Sequence, residues 1–132
     1  MKLTFYKTKE KTSSNAASNC TFRYEEGKGY TRTSAAGVNT DRLTGEELRF
    51  ANVIVMRVVG ERSRDYSYVK NNMVGSGPAD FFQNGCCLRG SWYRADEYSR
   101  LIFLDEQGEE ISFQRGKTFL VMTSATAEIT VE

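Results

Sequence analysis

The sequence predicts an all-β fold: an antiparallel sandwich or partly closed barrel of about ten short strands, with at most one short helical turn. Three observations carry this expectation. Eleven glycines punctuate the chain between Gly27 and Gly116, and the segments between them are rich in Val, Ile, Phe, Tyr and Thr, the residues that suit a pleated, half-buried surface. Cys20, Phe22 and Tyr24 alternate with Thr21 and Arg23, a period of two that turns one face of a strand inward. Asn84-Gly85 stands between two apolar runs, and a type I′ hairpin turn needs positive φ at both of its central residues. An α+β fold with one concealed helix is the alternative class. With 132 residues and one proline, the chain fits a single domain over 1–132. Within it, 1–19 are a strand plus an exposed loop, 20–124 the core, and 125–132 an edge strand or frayed tail.

The elements follow in order. Leu3 to Thr8 is the first strand, and the Lys/Ser/Asn/Ala stretch from Lys9 to Asn19 is an exposed loop. The strand through Cys20 to Tyr24 turns at Glu25-Glu26-Gly27-Lys28-Gly29 and returns over Tyr30 to Thr33. Asp41 to Leu48 is the only stretch with helical character, since Thr44 and Glu47 stand at capping-box spacing, and Gly45 limits it to one turn. Phe50 to Val59 is apolar on both parities, which marks a central strand covered on two sides. Tyr66 to Val74 follows, and Gly75-Ser76-Gly77-Pro78 reads as a turn. Ala79 to Gln83 then pairs with Cys86 to Tyr93 across Asn84-Gly85. Leu101 to Leu104 and Ile111 to Phe113 flank the turn Asp105-Glu106-Gln107-Gly108, and Gly116 precedes the strand Lys117 to Ser124. The expected core is Phe22, Tyr24, Phe50, Ile54, Phe82, Leu88, Trp92, Phe103, Phe119 and Val121; Trp92 shares the parity of Cys86 and Leu88.

Composition removes much chemistry. The chain has no histidine, so Ser-His-Asp and Cys-His nucleophiles, histidine-ligated zinc and histidine proton shuttles are excluded within it. Lys and Arg number 18 against 17 Asp and Glu, which leaves no overall field toward nucleic acid or an anionic membrane. The basic share sits early: residues 1–66 carry 12 Lys/Arg against 8 Asp/Glu, and 67–132 carry 6 against 9. No stretch approaches the ~20 apolar residues of a membrane span, and Met1 to Lys7 turns polar before a signal-peptide core forms. Cys20, Cys86 and Cys87 lack CxxC spacing and read as inert thiols, one of them in the core, against a Cys20 bridge or a redox role. Gly75 to Pro78 lacks the lysine and following helix of a phosphate cradle, and Asp105, Glu106, Glu109 and Glu110 bracket a hairpin turn where water solvates them. No cofactor and no metal is expected.

From Phe22 onward the pattern resembles a known family. The segments are Phe22-Arg23-Tyr24 then Tyr30-Thr31-Arg32; Asn39-Thr40-Asp41 with Thr44-Gly45-Glu46; Asn52-Val53-Ile54-Val55; Val74 to Ala79; Asn84-Gly85 leading to Gly90-Ser91-Trp92-Tyr93-Arg94; Phe103-Leu104-Asp105 with Gly108 and Ile111; and Gly116-Lys117-Thr118-Phe119. In order and spacing over residues 20–123 they resemble the C-terminal domain of the YerB-like lipoproteins, a bacterial family of unknown function found chiefly in Gram-positive organisms. The chain departs from that pattern at Asn39, where the family usually has histidine, and at Phe119, where it usually has tryptophan. The resemblance implies an excised C-terminal domain, or a short relative, of a parent anchored by lipid to the outer face of the cytoplasmic membrane.

The function that follows is a non-catalytic binding or interaction module of a cell-envelope lipoprotein, with an envelope ligand or protein as partner, no nucleic acid, and membrane contact only through the parent's anchor. The alternative is a carbohydrate-active or peptidoglycan-modifying enzyme using Asp41 or Asp80. Tyr30, Arg32, Asn39, Asp41, Asn52 and Arg94 are the polar members of the matching segments and the candidate ligand-binding residues. A guanidinium suits a carboxylate or phosphate, and Asp41 would hold Arg32 or Arg94 by a bidentate pair beside the Asn39 loop. The structural alternative has Asp41 capping the turn at Leu43 to Glu47 and Asn52 satisfying irregular backbone.

Overall fold

A computed structural model of the chain describes residues 2–6, 20–34, 36–62, 69–124 and 128–131. Among these, strands and turns are present and no helix forms; none is long and apolar enough to cross a membrane. The first sheet contains β1 (Lys2–Tyr6), β2 (Cys20–Glu25), β3 (Gly29–Ser34), the two-residue β4 (Gly37–Val38) and the last strand, β12 (Glu128–Val131), in the order β12-β1-β2-β3-β4. Between them in the chain come β5 (Asn52–Arg57), β6 (Val59–Arg62), β7 (Val69–Asn72), β8 (Gly75–Gln83), β9 (Cys86–Arg94), β10 (Ile102–Asp105) and β11 (Thr118–Thr123). The second sheet runs β10-β9-β8-β5-β11, and β6 pairs with β7 as a separate two-stranded arm. The fold is an all-β sandwich, not closed into a barrel.

β5 is central, as its apolar run on both parities predicts, and it lies between β8 and β11. Val53 and Val55 face the first sheet and pack with Cys20, Phe22, Tyr30 and Phe82. Ile54 and Met56 face the other way and pack with Val58, Ala79, Phe81 and Trp92, under a cover that includes Leu101, Phe103, Ile111 and Phe113. The second sheet therefore carries a core on each face. Phe81, Phe103 and Phe113 meet with ring centroids 5.6–5.9 Å apart in edge-on and tilted arrangements, the geometry aromatic quadrupoles favour.

The hairpin between β8 and β9 turns at Asn84 (φ 51°) and Gly85 (φ 71°), the two positive angles the dipeptide predicts. Four other expectations are corrected. The second sheet is not purely antiparallel: β11 runs parallel to β5, from Thr118 opposite Asn52 to Thr123 opposite Arg57. The long intervening chain supplies the crossover that a parallel pair requires. Gly75 to Pro78 is strand and not turn. The Trp92 indole crosses Gly77 to donate to the Arg57 carbonyl at 2.8 Å, and a Cβ on Gly77 would stand 2.6 Å from the indole nitrogen. Pro78 lies just beyond the last β5–β8 pair, Met56 with Ala79, where a missing N–H costs no ladder bond to β5. Ile111 to Phe113 forms no strand; only a single bridge, Leu104 with Glu110, precedes it. Leu88 is 42% exposed, because β10 pairs with β9 only from Gly90 to Tyr93 and leaves the Cys86–Arg89 half of β9 uncovered.

Asp41 to Leu48 closes as a turn. The Asp41 carbonyl accepts from Gly45 N–H, and Thr44 Oγ1 accepts from Glu46 N–H at 3.3 Å. At the outer edge of the second sheet, β11 leaves Leu120 and Met122 exposed. The Tyr66 part of its expected strand and the Lys9 to Asn19 loop lie outside the described residues.

The sheets are tied at one end by Tyr30. Its backbone bridges Phe50 in both directions, its ring lies 5.0 Å from Tyr24, and its hydroxyl accepts the Gly85 N–H at 3.1 Å. Burial, which disfavours the phenolate, pushes the Tyr30 phenol up to about 12.

Two outcomes follow. Trp92→Ala should lower unfolding free energy by about 3–5 kcal/mol in denaturant melts, whereas Leu88→Ala should cost under about 1 kcal/mol; equal losses would show that both side chains are equally covered. The Tyr30 phenol titrates higher in the folded chain than in the unfolded one, so its contribution is complete below ~pH 10 and is lost as pH rises toward about 12. Urea melts across that window should therefore fall more steeply for the native chain than for Tyr30→Phe, and parallel curves would refute the assignment.

Candidate functional site

The six residues expected to bind ligand do not form one patch. Tyr30 is fully buried with its hydroxyl on the hairpin turn. Asn52 is also fully buried. Its Nδ2 donates to the Gln114 carbonyl at 2.9 Å and to Thr118 Oγ1 at 3.1 Å, and its Oδ1 accepts the Gln114 N–H at 3.1 Å. Asp41 Oδ1 accepts the Leu43 and Thr44 N–H groups at 2.8 and 3.2 Å, and no ion pair joins Asp41 to either arginine. Arg94 donates from Nε to the Ser99 carbonyl at 3.0 Å and from Nη2 to the Glu97 carbonyl, which closes the loop after β9. That loop is further braced by Asp96, whose carboxyl is held low by the Ser99 hydroxyl and the Tyr98 N–H.

Arg32 and Asn39 do come together. Arg32 Nη1 donates to Asn39 Oδ1 at 3.4 Å, and the guanidinium stacks over Phe119, 5.5 Å from the ring centroid. The two positions at which the chain departs from the pattern it resembles thus touch one guanidinium. Cys20 lies beside it; burial pushes the thiol up and the Arg32 charge opposes that rise. Arg32 Nε is buried without a hydrogen-bond partner among the described residues. All three cysteines are free, Cys20 in the core and Cys86 and Cys87 exposed. Trp92 is a core residue, 3% exposed. Among the described residues no group of His, Cys, Asp or Glu is placed to hold a metal ion.

A cleft of about 480 Å³ opens at the Tyr30 end of the sandwich, within the ~300–1,000 Å³ of ordinary small-molecule sites. Its walls are three turns: 26–28 between β2 and β3, Asn84-Gly85, and the segment 114–117 entering β11. Tyr24 and Phe50 supply the apolar surface, and Lys28, Arg49, Arg115 and Lys117 supply positive charge. Lys28 and Arg49 are partly neutralised. Lys28 Nζ lies 2.6 Å from Glu25, whose carboxyl it holds below the usual carboxylate range, and Arg49 reaches Glu25 at 3.4 Å and Glu47 at 3.0 Å. Arg115 and Lys117 pair with no carboxylate among the described residues.

Two of the six expected residues support this cleft from below. Asn52 fixes the Gln114 backbone, while Ala51 and Asn52 N–H groups bind the Lys117 carbonyl at 2.8 and 3.3 Å. Tyr30 sits behind Tyr24 and holds Gly85. None of the residues that line the cleft was expected as a site, and Tyr24 was expected in the core. The available signal was a repeated pairing of glycine with a cation at a turn, in Gly27-Lys28-Gly29 and Arg115-Gly116-Lys117.

Comparison with known proteins places the architecture. The crystal structure of the YerB protein from Bacillus subtilis superposes with a TM-score of 0.79 at 18% identity, covering 98% of this chain and 43% of that one. The chain therefore spans less than half the length of that protein, and the likeness concerns the fold. No curated protein matches the sequence. The family described as protein of unknown function (DUF3048), C-terminal domain, matches residues 10–120, most of the chain and every strand from β2 to β10. This chain belongs to the DUF3048 C-terminal domain family.

Proposed function

We propose that the chain is a non-catalytic binding module of a bacterial cell-envelope lipoprotein, and that it takes an anionic ligand at the cleft walled by turns 26–28 and 114–117. The observation that carries the reading is the pair Arg115 and Lys117, two cations on a backbone-anchored turn with no carboxylate paired to them among the described residues. The non-catalytic part is supported by the absence of histidine and by Asp41, whose Oδ1 is engaged by two backbone N–H groups. The envelope setting rests on the resemblance to lipoproteins alone.

The test is calorimetric titration of the 132-residue chain with two polyanions, a short polyphosphate and an oligogalacturonate. At least one should bind with an affinity that falls as salt rises, and Arg115→Gln/Lys117→Gln should weaken it by about tenfold or more with an unchanged melt. Binding of neither, or equal binding by the double variant, overturns the reading. Release of sugar or muropeptide fragments that disappears in Asp41→Asn or Asp80→Asn would replace it with an enzymatic one.

A further inference from the structure

The chemistry of the cleft is more specific than positive charge. Its floor and walls include two side-chain amides, Asn84 on the hairpin turn and Gln114 on the anchored segment. The Gln114 backbone is fully engaged, donating to Asn52 and Gln83 and accepting from Asn52, but neither amide side chain has a hydrogen bond within the protein among the described residues. An amide presents a donor and an acceptor in one plane, which matches a hydroxyl group or a pair of adjacent hydroxyls; a bare phosphate, which only accepts, uses half of it. The third component is a braced aromatic ring. Tyr24 lies 5.0 Å from Tyr30 behind it, and Gly85 approaches so closely that a Cβ there would stand 2.8 Å from the Tyr24 ring. A ring fixed in this way, half-buried and facing the cleft, offers a flat apolar surface to the C–H face of a sugar.

Resting on the anion-binding reading, we infer that the ligand is an acidic glycan, with a sugar ring against Tyr24, its hydroxyls on Asn84 and Gln114, and its acidic group between Arg115 and Lys117. Each component alone is ordinary at a protein surface. Their convergence in one cleft, on turns held by Asn52 and Tyr30, is what selects a sugar that also carries charge. The arginine fork favours a planar carboxylate or phosphate oxygen pair, and the lysine adds a point charge.

The experiment compares an oligogalacturonate, its methyl ester and a polyphosphate of equal charge, each titrated into the 132-residue chain at constant salt. The oligogalacturonate should bind about tenfold or more tighter than either of the others. In Asn84→Gly/Gln114→Ala, where glycine retains the positive φ of the turn, that preference over polyphosphate should shrink to about threefold or less, because the glycan loses both the donor and the acceptor of each amide and polyphosphate only the donor. Equal native affinities for the two polyanions, both lost in Arg115→Gln/Lys117→Gln, overturn the glycan assignment and leave the anion-binding reading standing. A methyl ester that binds as tightly as the acid overturns the acidic-glycan inference, and binding of none of the three overturns both.

Discussion

The structure depends on burying both faces of one six-residue strand. Asn52–Arg57 places Val53 and Val55 in the core between the sheets and Ile54 and Met56 in the core behind the second sheet. A fully buried aliphatic side chain contributes about 1.5–3 kcal/mol, so four on one strand match a large part of the ~5–15 kcal/mol by which a domain is stable. The requirement propagates outward. Two cores need two covers, and the second is assembled from the chain after β9, with Leu101, Phe103, Ile111 and Phe113 lying over Phe81 and Trp92. The same strand begins with the fully buried Asn52, whose amide is satisfied only because segment 114–118 comes back to meet it. Packing of β5 and the placement of the cleft's basic turn are therefore one arrangement.

Local signals determine the structure where one physical cause suffices. An apolar run on both parities has no stable place except between two covers, and Asn-Gly has few alternatives to a tight hairpin. Sequence and structure part where a tertiary partner decides. Parity placed Leu88 on the same face as Trp92 but carries no information about whether β10 extends far enough to cover it. Glycines at 75 and 77 look like a turn until an indole crosses the strand and needs the space at Gly77. Parallel pairing of β11 with β5 joins residues more than 60 positions apart, beyond the reach of turn chemistry.

The same division holds for the site. Tyr30 and Asn52 stand out in the sequence as polar members of the segments that carry the resemblance, and in the structure both are buried, where each must find a partner. They proved to be the supports of the cleft. Lys28, Arg49, Arg115 and Lys117 did not stand out, since a cation on a turn is normally a solvated residue and their convergence exists only once three turns from different parts of the chain close one end of the sandwich. Asp41 and Arg94 show the complementary error: charged side chains in suggestive positions, each engaged by nearby backbone groups.

The free edge of β11 sets how the domain behaves when crowded. Thr118–Thr123 is a β-prone stretch without charge, proline or glycine, it pairs on one side only, and Leu120 and Met122 flank that edge in contact with solvent. Natural sheets usually guard such a border with an inward-facing charge, a proline or a bulge. Here the nearest guard is Lys117, one residue outside the strand, and a formal net charge of +1 adds little colloidal repulsion. This border is therefore open to edge-to-edge pairing with a second strand, and Lys117 is the charge nearest to the residues such a pair would engage.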